Sequence, residues 1–248
     1  CKSRSAHVGS ALSCVDLLVA AYFHELKIEK DNWDKRDIFI LSKAHAAMAL
    51  YAVLAIKGII SKDKLMGYAI DNGTLPAHLD RFTSKGVEAS AGSLGHGFNI
   101  ALGMAYGFKL KKDKRRVFVL IGDGESEEGS IWEGALFASK LNLDNLTVLM
   151  DYNNLQGYGR PNDICCFEPV IDKWRAFGWE AFKINGHNFS DIINTISRPQ
   201  INKPRIIIAN TQKGKGVSFM ENKMKWHYFI VTDEIKEKAL KEICANTD

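Results

Sequence analysis

Arg116-Val117-Phe118-Val119-Leu120-Ile121-Gly122-Asp123-Gly124 is an apolar run rich in β-branched residues that stops abruptly at glycine, aspartate and glycine. A short continuous apolar segment of this kind reads as a strand buried on both faces, the pattern of a parallel sheet. Leu146-Thr147-Val148-Leu149-Met150-Asp151 is a second such segment, and residues 130–141 between them have helical spacing. The three together predict a βαβ unit. Ligands of such units lie outside the carboxyl ends of the strands, where Asp123 and Asn153 fall.

Further strands are expected at 179–184 and 204–210, and helical apolar spacing appears at 10–26, 41–56, 94–110 and 232–243. This alternation predicts an α/β fold, a doubly wound and mostly parallel sheet with helices on both faces. At 248 residues and 46% apolar content the chain can bury a full core, and a single domain over 1–248 is expected. There is no internal repeat and no low-complexity linker. The formal charge of +4 is dispersed apart from a basic run at 109–116, which reads as a solvated helix end and turn rather than a nucleic-acid surface. No stretch approaches the roughly eighteen apolar residues of a membrane span. The chain opens at Cys1 with no Met and no signal-like leader, so further native residues are expected before it. Cys1, Cys14, Cys165, Cys166 and Cys244 form no C-x-x-C pair and no metal-finger spacing, which predicts a reduced, cytoplasmic chain with Cys165-Cys166 packed in a loop.

Gly122-Asp-Gly-Glu-Ser-Glu-Glu-Gly129, with Asp151-Tyr-Asn-Asn-Leu155 after the next strand, supplies hard oxygen ligands and bare backbone for a metal-bound diphosphate. Magnesium takes octahedral oxygen ligation with few protein groups, a need met by Asp123, Asn153 and the Leu155 carbonyl; Ca2+ or Mn2+ can substitute. Gly122 and Gly124 clear side chains from the approach of a diphosphate, and the following helix offers backbone N–H groups. Gly-Asp-Gly alone would be an ordinary turn. The spacing of Gly122, Gly124 and Gly129 is wrong for a dinucleotide-binding fingerprint, and Lys213-Gly-Lys-Gly lacks the P-loop pattern.

Four of the seven histidines stand where loops on a rigid sheet would meet a polar substrate. His7 precedes a helix with Ser10 as its expected cap, and His45 lies near a helix start with Ser42 as its expected cap. His78 is in a proline-containing loop and His227 follows the Lys213 loop. An imidazole pKa near 6.5 would suit proton transfer at these positions. His24 and His187 read as ordinary structural hydrogen bonders.

Gly122-Asp-Gly, Glu128-Gly129 and Asn153 resemble the thiamine diphosphate fingerprint of transketolases. The similarity runs in order through Ser5-Ala-His7-Val-Gly-Ser, Leu41-Ser-Lys-Ala-His45-Ala, Pro76-Ala-His78-Leu-Asp, Gly92-Ser-Leu94-Gly-His-Gly97, and Lys213-Gly-Lys-Gly-Val-Ser-Phe-Met-Glu221 with Trp226-His227. The length matches only the diphosphate-binding part, so the resemblance implies the N-terminal subunit of a split transketolase. It implies thiamine diphosphate with Mg2+ as cofactors and two-carbon ketol transfer from a ketose, expected to be phosphorylated, to an aldose. It further implies His7, His78 and His227 on the sugar, and His45, Gly92, Leu94, Gly124, Asn153 and His227 around the cofactor. Glu128 resembles the glutamate that contacts the activating glutamate of a partner subunit carrying the pyrimidine domain, within a heterotetramer built on a homodimer. Its local alternative is a first-turn helix acid favoured by the dipole.

The chain departs from the family at His96, where Gln is common, at Ala6 and Ala44, where Gly is usual, at Val8, where Pro is frequent, and at Tyr228, where Gly is frequent. Tyr228 adjoins His227 and bears on the shape of the entrance. The nearest rivals are a 1-deoxyxylulose phosphate synthase-like or dehydrogenase E1-like component, which the several sugar-facing histidines disfavour, and a noncatalytic paralogue, which the intact motifs disfavour.

Overall fold

The computed structural model describes residues 2–245; Cys1, counted above among the unpaired thiols, lies outside the described residues. Cys14 is buried, Cys165, Cys166 and Cys244 are exposed, and none of the four is in a disulfide. Helices α1 (Val8–Ser13) and α2 (Val15–Ala20) lead through a π-turn at Ala21–Glu25 to strand β1 (Ile38–Leu41). Then come α3 (Ala47–Ile56), α4 (His96–Leu110), β2 (Val117–Gly122), α5 (Gly129–Lys140) and β3 (Leu146–Tyr152). The short α6 (Pro161–Ile164) and α7 (Val170–Ala176) precede β4 (Glu180–Asn185), α8 (Phe189–Ile196), β5 (Arg205–Asn210) and α9 (Asp233–Ala245).

The sheet has five strands in the order β1-β2-β3-β5-β4, all neighbours parallel. Strand alternation sends Phe118 and Leu120 to one face, where they pack with Leu149 and Ile207 against Leu17, Leu50 and Ile192 of α2, α3 and α8. Val119, Ile121, Val148 and Ile208 go to the other, against Phe98, Ala135 and Trp174 of α4, α5 and α7. Both faces are covered, which is why the strands lack polar alternation. Each fully buried Val, Leu or Ile contributes about 1.5–3 kcal/mol of transfer free energy, so these two clusters hold the layers together. Among the described residues no helix is long and apolar enough to cross a membrane.

Two sequence expectations are corrected. The helix expected over 41–56 begins at Ala47, preceded by a 3-10 turn at Ala44–Ala46; Leu41 instead ends strand β1, a strand absent from the sequence expectations. Ile-Phe-Ile-Leu is too short for periodicity to separate strand from helix. Pairing decides it, with Ile38 beside Val117 and Leu41 beside Leu120. The helix expected over 10–26 is broken at Cys14. There Ser13 Oγ donates to Asp151 at 2.6 Å, a tertiary bond that competes with the helical path.

β1, β2, β3 and β5 discharge at one edge of the sheet, and each ends in polar residues: Ser42-Lys43, Asp123, Asp151 with Asn153, and Thr211 with Lys213. These groups are buried or half-buried and converge on one cleft.

Candidate active site

The cleft has a volume of about 250 Å³, and its lining includes His7, His45, His78, Asp123, Asn153 and His227. Its floor is a polar network. Lys43 Nζ pairs with Asp151 and donates to the Ser10 carbonyl at 3.0 Å. Asp151 also accepts from Ser13, Thr211 and Asn153 Nδ2. Lys43 and Asp151 are almost fully buried, so breaking the pair by removing one partner would strand the other charge. The Lys43 ammonium holds the Asp151 carboxyl below the usual carboxylate range against the opposing effect of burial.

The metal-ligand candidates come together. Asp123 Oδ1 accepts from Gly124 N at 2.8 Å and Oδ2 from Asn154 N at 2.6 Å, which stitches the turn after β2 to the loop after β3. Burial, with Asp151 nearby, raises Asp123 to about 6. Donation from Asn153 Nδ2 to Asp151 fixes the amide so that Oδ1 is its acceptor end, which takes Leu155 N at 3.1 Å. The Leu155 carbonyl accepts from Lys213 Nζ at 2.8 Å. Each of these oxygens keeps a free lone pair beside the cleft, and a carboxylate, an amide oxygen and a carbonyl are the hard donors a magnesium ion accepts. The residues therefore fit a divalent metal, and a cation there would favour the charged form of Asp123 that burial opposes.

Gly124 has a further reason to be glycine: a Cβ there would meet Gln156 Cβ at 2.9 Å. Gln156 is in turn held by donation from its Nε2 to Glu127 at 2.7 Å. At Gly122 a Cβ would meet Lys43 and Glu125 only at ordinary contact distance, and at Gly92 it would enter open space.

Four histidines meet above this floor. The ring of His7 lies 5.2 Å from His45, 6.0 Å from His78 and 5.2 Å from His227, centroid to centroid. His7 has left-handed backbone, φ 70, and its N–H donates to the His227 carbonyl at 3.0 Å, which ties the chain start to the segment after β5. A non-glycine residue in this region is held there by its surroundings. Burial and the Lys213 and Lys43 charges lower His227 to about 3; burial, His78 and the two lysines lower His7 to about 4. Burial and Lys43 lower His45 well below its ordinary value. The expectation of imidazoles near 6.5 is thus corrected for these three: beside two buried ammonium groups they are neutral. With its ammonium charged, Lys213 donates to His227 Nδ1 at 3.0 Å, leaving the imidazole proton on Nε2.

Both expected caps are corrected. Ser10 sits inside α1, where its Oγ accepts from Lys213 Nζ at 3.0 Å. Ser42 does not cap the helix that follows it: its hydroxyl donates to Glu125 and accepts from Phe98 N at 2.9 Å, a free N–H in the first turn of α4. Glu125 also takes Gly95 N at 2.9 Å and Gly122 N at 3.1 Å, so one buried carboxylate joins the glycine-rich loop to the end of β2. Burial raises its pKa.

Leu94 and Gly92 line the cleft. Glu128 does not; it is an exposed residue at the N-cap of α5, without a side-chain capping bond. His96 is exposed at the start of α4. His187 is structural, its Nδ1 2.6 Å from Asp16 and its Nε2 accepting from Gln212 N. Sequence reasoning missed Lys43, Glu125, Asp151 and the ammonium of Lys213. The available signal was a charged residue at, or within three residues after, the end of an apolar strand, where a buried charge has no water to face.

Residues 1–243 match the family described as transketolase, thiamine diphosphate binding domain. The chain belongs to the transketolase family. It is a transketolase-type transferase chain, and thiamine diphosphate is the cofactor of its domain. It is 41% identical over 241 residues to a 6-deoxy-6-sulfo-D-fructose transketolase subunit of Clostridium sp., covering 96% of this chain and 88% of that one. An apulose-4-phosphate transketolase subunit of Phocaeicola vulgatus is 38% identical over 246 residues, 98% of this chain and 87% of that one. Among solved structures, a transketolase from Campylobacter jejuni superposes with a TM-score of 0.90 at 30% identity, covering 98% of this chain but only 40% of that protein. The chain thus spans well under half of a full-length transketolase and nearly all of the two subunits.

Proposed function

We propose that this chain is the diphosphate- and metal-binding subunit of a two-chain, cytoplasmic transketolase that moves a two-carbon ketol unit from a ketose, phosphorylated or of similar anionic character, to an aldose. The observation that carries this reading is the convergence of His7, His45, His78 and His227 above the Asp123, Asn153 and Leu155 oxygens in one cleft. Thiamine diphosphate supplies a carbanion and electron sink, and the protein's task is to bind and orient it and to exclude side reactions.

Asp123, Asn153 and the Leu155 carbonyl hold magnesium in this reading. His45 faces the diphosphate, Lys213 holds the Leu155 carbonyl and His227 in place beneath it, and Gly92, Leu94 and Gly124 shape the space around it. His7, His78 and His227 bind the hydroxyls and carbonyl of the sugar. His227, proton on Nε2 and Nδ1 fixed by Lys213, is poised to donate to a sugar oxygen. His7 and His227 are neutral at pH 7, and His7 accepts a proton best when a bound anion offsets Lys43 and Lys213. Glu128, exposed beside the cleft rather than within it, meets the partner subunit that carries the pyrimidine domain, and two such pairs form a heterotetramer.

The test is to assay the purified chain with thiamine diphosphate, Mg2+ and several ketose phosphates, alone and with the partner subunit. Activity that appears only with the partner supports the split arrangement; robust turnover by the lone chain refutes it. Transfer from pyruvate instead of a ketose would move the chain to the synthase or dehydrogenase class.

A further inference from the structure

His227 is followed at once by Tyr228, and the two rings lie 4.6 Å apart, centroid to centroid; His7 is 5.9 Å from the same phenol ring. Tyr228 therefore borders two of the three imidazoles assigned to the sugar. It also reaches across to the loop after β3. A Cβ on Gly157 would come within 2.4 Å of Tyr228 Oη and 3.1 Å of its Cζ, so the phenol lies directly against that loop's backbone. Tyr158, the next residue of the same loop, lies close enough to help burial raise the pKa of the Tyr228 hydroxyl. The loop is itself closed by donation from Gln156 N to the Gly159 carbonyl at 2.9 Å. All of Gly157, Tyr158 and Tyr228 line the cleft, and Tyr228 and Tyr158 are 55% and 85% exposed, which puts the contact at its solvent end.

We propose that Tyr228 is a specificity-determining residue of the transfer reaction: its ring seals the seam between the His227 segment and the loop after β3, and so limits the length and branching of the sugar that reaches His7, His78 and His227. This rests on the transketolase reading above. The chemical class that fits the walled part is the uncharged, hydroxylated stretch of the sugar next to its carbonyl. Among the described residues lining the cleft the cations are Lys43 and Lys213, both 1% exposed and committed to the floor. The mouth offers phenol, imidazole and backbone groups, which hydrogen-bond hydroxyls but give no cationic grip for a phosphate. A packed ring discriminates by shape, and excluding an extra carbon in this way is worth about 10-fold or more in kcat/KM.

The experiment uses the assembled two-chain enzyme, with Tyr228→Gly and Tyr228→Phe beside wild type and ketose phosphate donors of five, six and seven carbons against one acceptor. In Tyr228→Gly the ratio of kcat/KM for the longest to the shortest donor rises about 10-fold. In Tyr228→Phe, which keeps the ring and loses the hydroxyl, the ratio stays at the wild-type value. The affinity for thiamine diphosphate with Mg2+, measured by calorimetry, is the same in all three. An unmoved ratio in Tyr228→Gly, or a Tyr228→Phe profile that relaxes to the same extent, overturns the wall. A wild-type enzyme that turns over no ketose defeats the transketolase reading and the wall with it, whereas normal turnover with unmoved ratios defeats the wall alone.

Discussion

Lys213 Nζ donates to the carbonyl oxygen of Leu155 at 2.8 Å, joining the loop after β5 to the loop after β3 through a cation that is 1% exposed. The same ammonium reaches Ser10 and His227, so one charge organises three segments around the cleft. Lys213→Met removes that charge. It also removes the three hydrogen bonds by which the ammonium positions Ser10, Leu155 and His227; a hydrogen bond to a charged group is worth about 1.5–3 kcal/mol, so losing this positioning should lower cofactor affinity roughly 10- to 100-fold. Calorimetric titration of thiamine diphosphate in Mg2+ measures it; an unchanged affinity would remove Lys213 from the diphosphate site.

Asp123 is the only carboxylate proposed for the metal. Asp123→Ala should abolish Mg2+-dependent cofactor binding, and Asp123→Asn, which keeps an acceptor for Gly124 N or Asn154 N, should still fold while binding the cofactor far more weakly. Circular dichroism beside the titration separates the two effects. A variant that is folded and binds normally would mean the metal is held by other groups.

The histidine cluster predicts a pH-dependent stability of the cofactor-free chain. His7 and His227 titrate at about 4 and about 3 in the fold, while their unfolded value is 6.5. Between these limits the unfolded chain binds more protons, so stability is full above pH 6.5 and is lost as pH falls toward 3 to 4. His45, also lowered, acts in the same direction. Asp123 and Glu125, raised by burial, oppose it in the acidic part of the window, since the folded chain holds their protons longer. Three imidazoles outweigh two carboxyls, so Tm should fall from pH 7 to pH 5. The His7→Gln, His227→Asn double variant should show a shallower fall; an equal slope would deny these two residues the effect.

His78 is exposed in a loop, and His227 is half-buried on another. Replacing either by Ala should leave Tm within a few degrees yet lower kcat/KM by roughly 10²- to 10⁴-fold, the usual range for a proton-transferring group. Folded variants with normal turnover and a markedly lower Tm would make these histidines structural.

Gly97 is fixed by packing. A Cβ there would stand 2.7 Å from both the Cα and the Oγ of Ser42, whose hydroxyl is locked between Glu125 and Phe98 N. Backbone cannot yield as a side-chain tip does, so Gly97→Ala should cost about 1–3 kcal/mol. Denaturant unfolding reads this directly, and a neutral substitution would show that the start of α4 is free to move.

The sequence by itself determined the strands that carry the site and the residues that end them. Continuous β-branched runs leave no polar face for water, so β2, β3 and β5 had to be buried in a parallel sheet, and Asp123, Asn153 and Lys213 had to emerge at its carboxyl edge. It also marked all four histidines, because each lies in a short motif whose order along the chain resembles a known family. Tertiary structure alone decided the rest. β1 is a strand because β2 is beside it, not because four apolar residues prefer that state. Ser42 and Ser10 left the capping roles local rules assign them because Glu125 and Lys213, distant in sequence, offered stronger partners. The neutrality of His7, His45 and His227 depends on burial beside Lys43 and Lys213, and a pKa is set by the charges and solvent that folding brings near, which no spacing along the chain encodes.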